Sequence, residues 1–168
     1  MRLQIEKQML NYRMKKDYEE FKKKQPLGVV GGPLDEQTLK EWEVTIPGPT
    51  GSPYEGGKFK VKIILPDDYP NSAPTCPFIT KIFHPNIRFE NGAICVNFLK
   101  KGSEEEKNEN KKTWTNKNTI CNIIFGLYGL LKCPNQTDPW NFNAHNLFVH
   151  QTKRYELIAK NFTNKFAK

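Results

Sequence analysis

The sequence predicts an α+β fold in which helices stand apart from an antiparallel sheet. Three observations carry this expectation. The N-terminal stretch repeats apolar side chains at helical spacing, the following segments alternate apolar and polar residues, and the last third returns to helical spacing. With 168 residues, 37% apolar and 26% charged, the chain has the size and composition of one soluble domain. A domain this long buries a core without a metal or disulfide staple.

Residues 2–24 read as one amphipathic helix. Leu3, Leu10, Met14, Tyr18 and Phe21 fall near one stripe, and Pro26 follows the end. Gly28, Gly31, Gly32 and Pro33 then give an extended, turn-rich stretch. Trp42, Val44 and Ile46 alternate with Glu43 and Thr45, and Phe59, Val61, Ile63 and Leu65 alternate around Lys60 and Lys62. Between these two strands, Pro47–Gly57 is dense in turn formers, so a hairpin or meander with one buried face is expected. A further short strand is expected at Cys76–Lys81. Lys100–Thr113 is a charged run that has no apolar surface to bury, and reads as a flexible surface insertion. Helical spacing resumes after an N-cap at Asn118 or Thr119, with Ile120, Ile123, Ile124, Leu127, Leu130 and Leu131 on one face, until Pro134. After Asp138-Pro139 the rest reads as helical, with Tyr155, Ile158, Ala159, Phe162 and Phe166 as its apolar stripe.

Several function classes fall away on composition. The longest apolar runs, such as Ile63-Ile64-Leu65, are far too short for a transmembrane helix. Met1-Arg2-Leu3-Gln4 opens a charged, alternating segment unlike a secretory signal, so a cytoplasmic or nuclear protein is expected. Cys76, Cys95, Cys121 and Cys133 form no CxxC pair and share no ligand spacing with His84, His145 and His150, so neither a metal site nor disulfides are expected. The net charge of +8 is spread out and comes without a nucleic-acid-binding motif, so no nucleic-acid partner is expected. Its densest patch, around Arg13, Lys15, Lys16 and Lys22–Lys24, suits either a solvated helix face or an acidic protein partner.

The chemistry concentrates in residues 84–99, which lack a long periodic element and therefore read as a loop able to carry a site. Cys95 lies among Ala93, Ile94 and Val96. On its own it reads either as a small core residue or as a nucleophile, the latter needing thiolate character and donors for an oxyanion. Asn86 supplies such a donor type, although an ordinary turn residue after proline is equally natural. His84 reads as a structural residue that fixes the turn.

Taken together these residues carry a resemblance. His84-Pro85-Asn86, then Asn91-Gly92-Ala93-Ile94-Cys95-Val96-Asn97-Phe98-Leu99, then Trp114, resemble the active-site segment of the ubiquitin-conjugating (E2) enzymes. Gly48-Pro49-x-Gly51-Ser52-Pro53-Tyr54-Glu55-Gly56-Gly57-x-Phe59, Leu65-Pro66-Asp67-Asp68-Tyr69-Pro70 with Ala73-Pro74, and Pro134-Asn135-x-x-Asp138-Pro139 are similar to further motifs of that family and stand in its order.

The resemblance implies an N-terminal helix, a four-stranded antiparallel meander sheet, a catalytic loop and C-terminal helices. All of residues 1–168 would form one such core domain, with residues 1–12 extending the first helix and residues 100–113 as the insertion. It implies that Cys95 receives ubiquitin, or a relative, from the E1 enzyme as a thioester, and passes it to a lysine on a protein substrate or to an E3 ligase. No cofactor is implied, since E1 spends the ATP. Asn86 would stabilise the oxyanion or order the loop around it, and Asp138 would position or deprotonate the incoming lysine. His84, Pro85 and Asn97 would be structural, Asn97 standing where many members have Asp. Arg13 and Lys16 would face E1. Pro66, Asn71, Pro74 and Trp114 would face E3, with Asn71 where an aromatic residue often sits. Ubiquitin is the expected modifier, with SUMO and NEDD8 as alternatives, and a non-catalytic binding scaffold as the alternative from another class.

Overall fold

A computed structural model describes residues 2–24, 28–94, 99 and 113–168, with side chains of the first helix from Leu10 onward. Cys95, Asn97 and all but the last residue of the 100–113 insertion lie outside the described residues. Chain order is α1 (Arg2–Lys24), β1 (Val30–Pro33), β2 (Glu41–Pro47), β3 (Lys58–Ile64), α2 (Ile120–Lys132), α3 (Phe142–His150) and α4 (Thr152–Phe166). Among the described residues no helix is long and apolar enough to cross a membrane.

The sheet is an antiparallel meander, β1-β2-β3. Its register pairs Trp42 with Ile63, Val44 with Val61 and Ile46 with Phe59, so the period-two apolar residues share one face and all six are buried. The opposite face carries Glu41, Glu43, Lys60 and Lys62, joined crosswise in two partly exposed ion pairs, Lys60–Glu43 at 3.0 Å and Lys62–Glu41 at 2.7 Å.

Two strand expectations are corrected. The turn-rich stretch after Gly28 contains β1, which alternation could not reveal in Val30-Gly31-Gly32-Pro33. Gly31 makes that pairing possible: its φ is +110°, and a Cβ there would overlap the Glu43 carbonyl of β2. Conversely, the segment expected as a strand at Cys76–Lys81 forms no continuous ladder with β3: Val61 bridges Phe78, Ile64 bridges Thr75 just before the segment, and Ile79 N donates to Lys60 O at 2.8 Å. Pro77 accepts from Lys62 N through its carbonyl at 3.0 Å but has no N–H to return, which breaks the ladder. The described sheet therefore has three strands rather than four.

α1 packs its inner stripe, Met14, Asp17 and Phe21, into the core, and Tyr18 and Phe21 meet the Trp42 ring edge-on at 5.6 and 5.4 Å. α2 is the most apolar helix and buries Ile120, Ile123, Ile124, Leu127, Leu130 and Leu131. It starts at Thr119 with a reciprocal box in which Thr119 accepts from Asn122 N and Asn122 accepts from Thr119 N. The helical tail is two helices. Gln151 leaves helical geometry (φ −142°, ψ 56°) and serves as the terminus of both α3 and α4. α4 buries Tyr155, Ala159 and Thr163, and Lys58 N donates to Ala167 O at 2.7 Å, which ties the C-terminus to β3.

One buried ionic cluster braces α1 against two loops. Arg13 Nε donates to Asp17 Oδ1 at 3.0 Å, and its terminal nitrogens donate to the carbonyls of Asn116 and Asn118 ahead of α2. Tyr69 donates its hydroxyl to the other Asp17 oxygen. Burial holds the Asp17 carboxyl above its usual range even with these two donors. Removing Arg13 would leave that carboxylate buried with a single donor. Arg13→Ala is therefore expected to lower stability by about 2–3 kcal/mol in urea unfolding, whereas Lys16→Ala, on the exposed side of the same helix, should leave the midpoint in place. Equal midpoints for wild type and Arg13→Ala would refute the brace.

Candidate active site

The site is built on the turn His84-Pro85-Asn86, all three residues buried. Burial this complete requires every polar atom of the turn to find a partner. His84 Nδ1 accepts from Asn86 N at 3.0 Å, which assigns the proton to Nε2; that nitrogen lies 3.0 Å from Leu130 O near the end of α2. The ring is thus a neutral donor–acceptor spacer between the turn and α2. Burial lowers its pKa to about 4, with the Leu130 carbonyl pulling weakly the other way. A group held neutral down to that value, with both nitrogens engaged, has no spare lone pair for base chemistry.

Asn86 sends its whole carboxamide across to the segment after α2. Nδ2 donates to Asn135 O at 2.7 Å and to Asp138 O at 3.1 Å, and Oδ1 accepts from Asn135 N at 2.8 Å. Both amide hydrogens are consumed by carbonyls, and the received N–H fixes which way the amide faces. Pro85 O accepts from Trp140 N at 2.8 Å and Asn141 N at 2.9 Å. The Arg88 guanidinium lies over the Trp140 ring, 4.5 Å from its centre. Residues 84–88 and 135–141 are thereby laced into one surface, on which Asp138 stands half-buried.

The chain leaves this turn through a tight loop. Gly92 N donates to Arg88 O at 2.8 Å, Arg88 N to Ala93 O at 2.8 Å, and Ile94 bridges antiparallel to Ile87. Gly92 is required here, because its φ is +69° and a Cβ would overlap the Phe78 carbonyl, whose own N–H donates to Gly92 O. Ile94 is one peptide bond before Cys95, and Ile87 one peptide bond after Asn86. Two of the other cysteines are poor nucleophiles: burial raises the thiol pKa of Cys76 far above its usual value, and that of Cys121 to about 11. Cys133 is exposed.

The residues expected on partner surfaces divide by exposure. Lys16 faces solvent, whereas the Arg13 guanidinium is engaged inside the molecule. Asn71 is exposed and Pro66 half-buried, while Pro74 and Trp114 are buried. The Trp114 indole N–H donates to Pro70 O at 2.8 Å, and its ring lies 6.1 Å from that of Tyr69. Both loops of the expected E3 face are therefore side by side, and through Tyr69 and Asp17 they are joined to α1. Sequence reasoning missed Asn135, Leu130, Arg88 and Trp140 as partners of the turn. Asn135 had a local signal, since its side chain accepts from both Thr137 N and Thr137 Oγ1 as an Asx-turn. The other three act through contacts that only folding creates.

A helix, an antiparallel meander, a buried His-Pro-Asn turn and trailing helices define the class of protein. The family model described as ubiquitin-conjugating enzyme matches residues 13–163. Among solved structures, the E2 domain of a Toxoplasma gondii ubiquitin conjugating enzyme is similar, at 31% identity and a TM-score of 0.77, covering 94% of this chain and 99% of that one. The chain belongs to the ubiquitin-conjugating (E2) enzyme family.

The buried neutral His84 has a pH signature. Its folded pKa lies below the unfolded value of 6.5, so between about 4 and 6.5 the unfolded chain binds the extra proton. Its contribution to stability is full above pH 6.5 and is lost as pH falls towards 4, by about 3 kcal/mol in all. Unfolding midpoints measured from pH 7.5 to 4.5 should fall accordingly, and His84→Gln should flatten that part of the profile. An unchanged slope in the variant would remove the assignment.

Proposed function

We propose that this chain is a catalytically active E2 that takes ubiquitin from E1 onto Cys95 and passes it to a lysine amine. In the first step the Cys95 thiolate adds to the carbonyl carbon of the E1 thioester. The new S–C bond forms, the E1 S–C bond breaks, and the E1 cysteine leaves as a thiolate. In the second step an uncharged lysine amine adds to the same carbonyl, the N–C bond forms, the Cys95 S–C bond breaks, and the amine proton passes to a base. Exchange between like thioesters is near thermoneutral, so placement matters more than a strongly depressed thiol pKa.

The observation that carries this reading is the clamp of Asn86 onto the backbone of Asn135 and Asp138, beside the Ile87–Ile94 bridge. It holds an acidic residue and the peptide leading to the only cysteine of the loop on one surface. We assign Asn86 to ordering the loop that bears Asp138, because its two donors already serve carbonyls. Asp138 is assigned to positioning the lysine and taking its proton. Ubiquitin is favoured as the modifier by the family description and by the Toxoplasma relative, itself described as a ubiquitin conjugating enzyme. E1 is assigned the Lys16 side of α1. E3 is assigned the exposed rim around Asn71, while Trp114 and Pro74 support that rim from beneath.

Loading assays with matched E1, ATP and ubiquitin, SUMO or NEDD8 in parallel test the reaction. A reductant-sensitive adduct is expected with ubiquitin, absent in Cys95→Ala and retained in Cys133→Ser. An adduct with SUMO or NEDD8 instead would replace the modifier, and none at all would move the scaffold reading to first place. Asn86→Ala, by letting the Asp138 loop shift, is expected to slow discharge to free lysine by about 10²-fold and loading by much less. Equal slowing of both steps would overturn its assignment to the lysine-facing loop.

A further inference from the structure

The same surface continues, past Asp138, into an aromatic cleft that the two transfer steps do not use. Its volume is about 440 Å³, and its walls are Phe83, Phe89, Trp140, Phe142 and Phe162, with Glu90 at the rim. Phe83 and Phe89 both pack on Phe162, at 5.7 and 5.8 Å between ring centres, and form the floor. The mouth is open: Phe142 is 73% exposed and Phe89 42%. Aromatic rings left this open on one contiguous patch mark a contact surface more often than scattered surface residues do.

Two features identify what the cleft takes. One is continuity with the site. Trp140 is two residues after Asp138, and its N–H and that of Asn141 are both held by Pro85 O, so one wall of the cleft is the loop that Asn86 clamps. The other is charge. On a chain of net charge +8, the rim carries the exposed carboxylate of Glu90, which has no ion-pair partner among the described residues. Aromatic faces beside a carboxylate suit a basic group with an apolar neighbour.

Resting on the conjugating reading above, we propose that this cleft is a docking subsite for the acceptor protein. It takes an aromatic or large apolar side chain close to the target lysine, and Glu90 pairs with a basic residue next to it. Docking there tethers the acceptor to the 135–141 loop that residues 85 and 86 hold and raises the effective concentration of its lysine at the thioester.

The test uses the full chain and synthetic peptides with one lysine flanked, at varied spacing, by Phe-Arg or by Ala-Ala, with free lysine as reference. From the loaded thioester, discharge to Phe-Arg peptides should exceed discharge to Ala-Ala peptides by about tenfold at the best spacing. Phe142→Ala and Glu90→Lys should each collapse that ratio towards one; both residues are exposed at the surface, so neither change disturbs the core. Equal rates for both peptide sets, or a ratio that survives both variants, overturns the subsite. So does a variant that slows loading several-fold while its loaded form keeps the wild-type ratio, since the cleft would then serve the modifier. A second arm needs no loading. Titrating the Phe-Arg peptide into the unloaded chain should give saturable amide shifts at Phe89, Glu90 and Asn143 in NMR spectra, and their absence overturns the subsite. If no modifier loads but these shifts appear, the conjugating reading fails and the docking surface stands.

Discussion

The constraint on which the site depends is the complete burial of a polar turn. His84, Pro85 and Asn86 carry polar atoms that solvent does not reach, and each unsatisfied group of this kind costs about 1–3 kcal/mol. The fold meets the demand by turning those atoms outward to three separate pieces of backbone: the end of α2, the segment after it, and the start of α3. Satisfying the turn and assembling the site are therefore one event. The loop with Asp138 has no regular secondary structure between Cys133 and Asn141, yet it is held at both ends by bonds to residues 85 and 86. The proline at the centre of the turn has no N–H of its own to satisfy, and its carbonyl receives two N–H groups at once.

A second network does for the opposite end what the Asn86 clamp does for the site. Asp17 on α1 gathers Arg13 from its own helix and Tyr69 from the loop after β3, while Arg13 reaches the loop ahead of α2. Trp114 closes the ring by donating to Pro70. The basic charge that suggests a docking face at Arg13 is spent internally, and the exposed lysines beside it carry what remains. Contacts made at α1 and contacts made at the two loops are thus supported by the same few hydrogen bonds.

The proposed chemistry asks little of the titrating groups and much of the scaffold. His84 is kept neutral by burial and serves as a spacer, not as a base. Asn86 spends its amide on loop backbone. On the proposed reading, an incoming amine meets a fixed carboxylate-bearing loop, and that loop continues directly into an aromatic cleft bounded by Trp140 and Phe142. Positioning of this kind lowers a barrier by prepaying orientation, which suits the proposed attack of an amine on a thioester.

Local pattern was enough for α1, β2, β3 and α2, because their apolar residues recur at helical or strand spacing and their ends carry Thr119, Pro134 or glycine-rich turns. Motif order was enough to point to the His-Pro-Asn turn and to Asp138. β1 was hidden because Val30-Gly31-Gly32-Pro33 has no alternation; its pairing with Trp42–Thr45 makes it a strand, and Gly31 permits the close approach to Glu43. The segment around Pro77 had strand-like residues, but a missing N–H opposite Lys62 limits it to bridges. The break at Gln151 left no sequence signal, since neither proline nor glycine marks it. Burial decided the remainder. The family resemblance implied that Arg13 and Trp114 face partners, and tertiary packing engages them inside, where Asp17 and Pro70 use their donors. Composition and periodicity determine which elements form, because those depend on near neighbours in the chain. Which side chains meet at the site, and which face a partner, depends on pairs about fifty residues apart, such as Asn86 with Asn135, and those are set only when the elements pack.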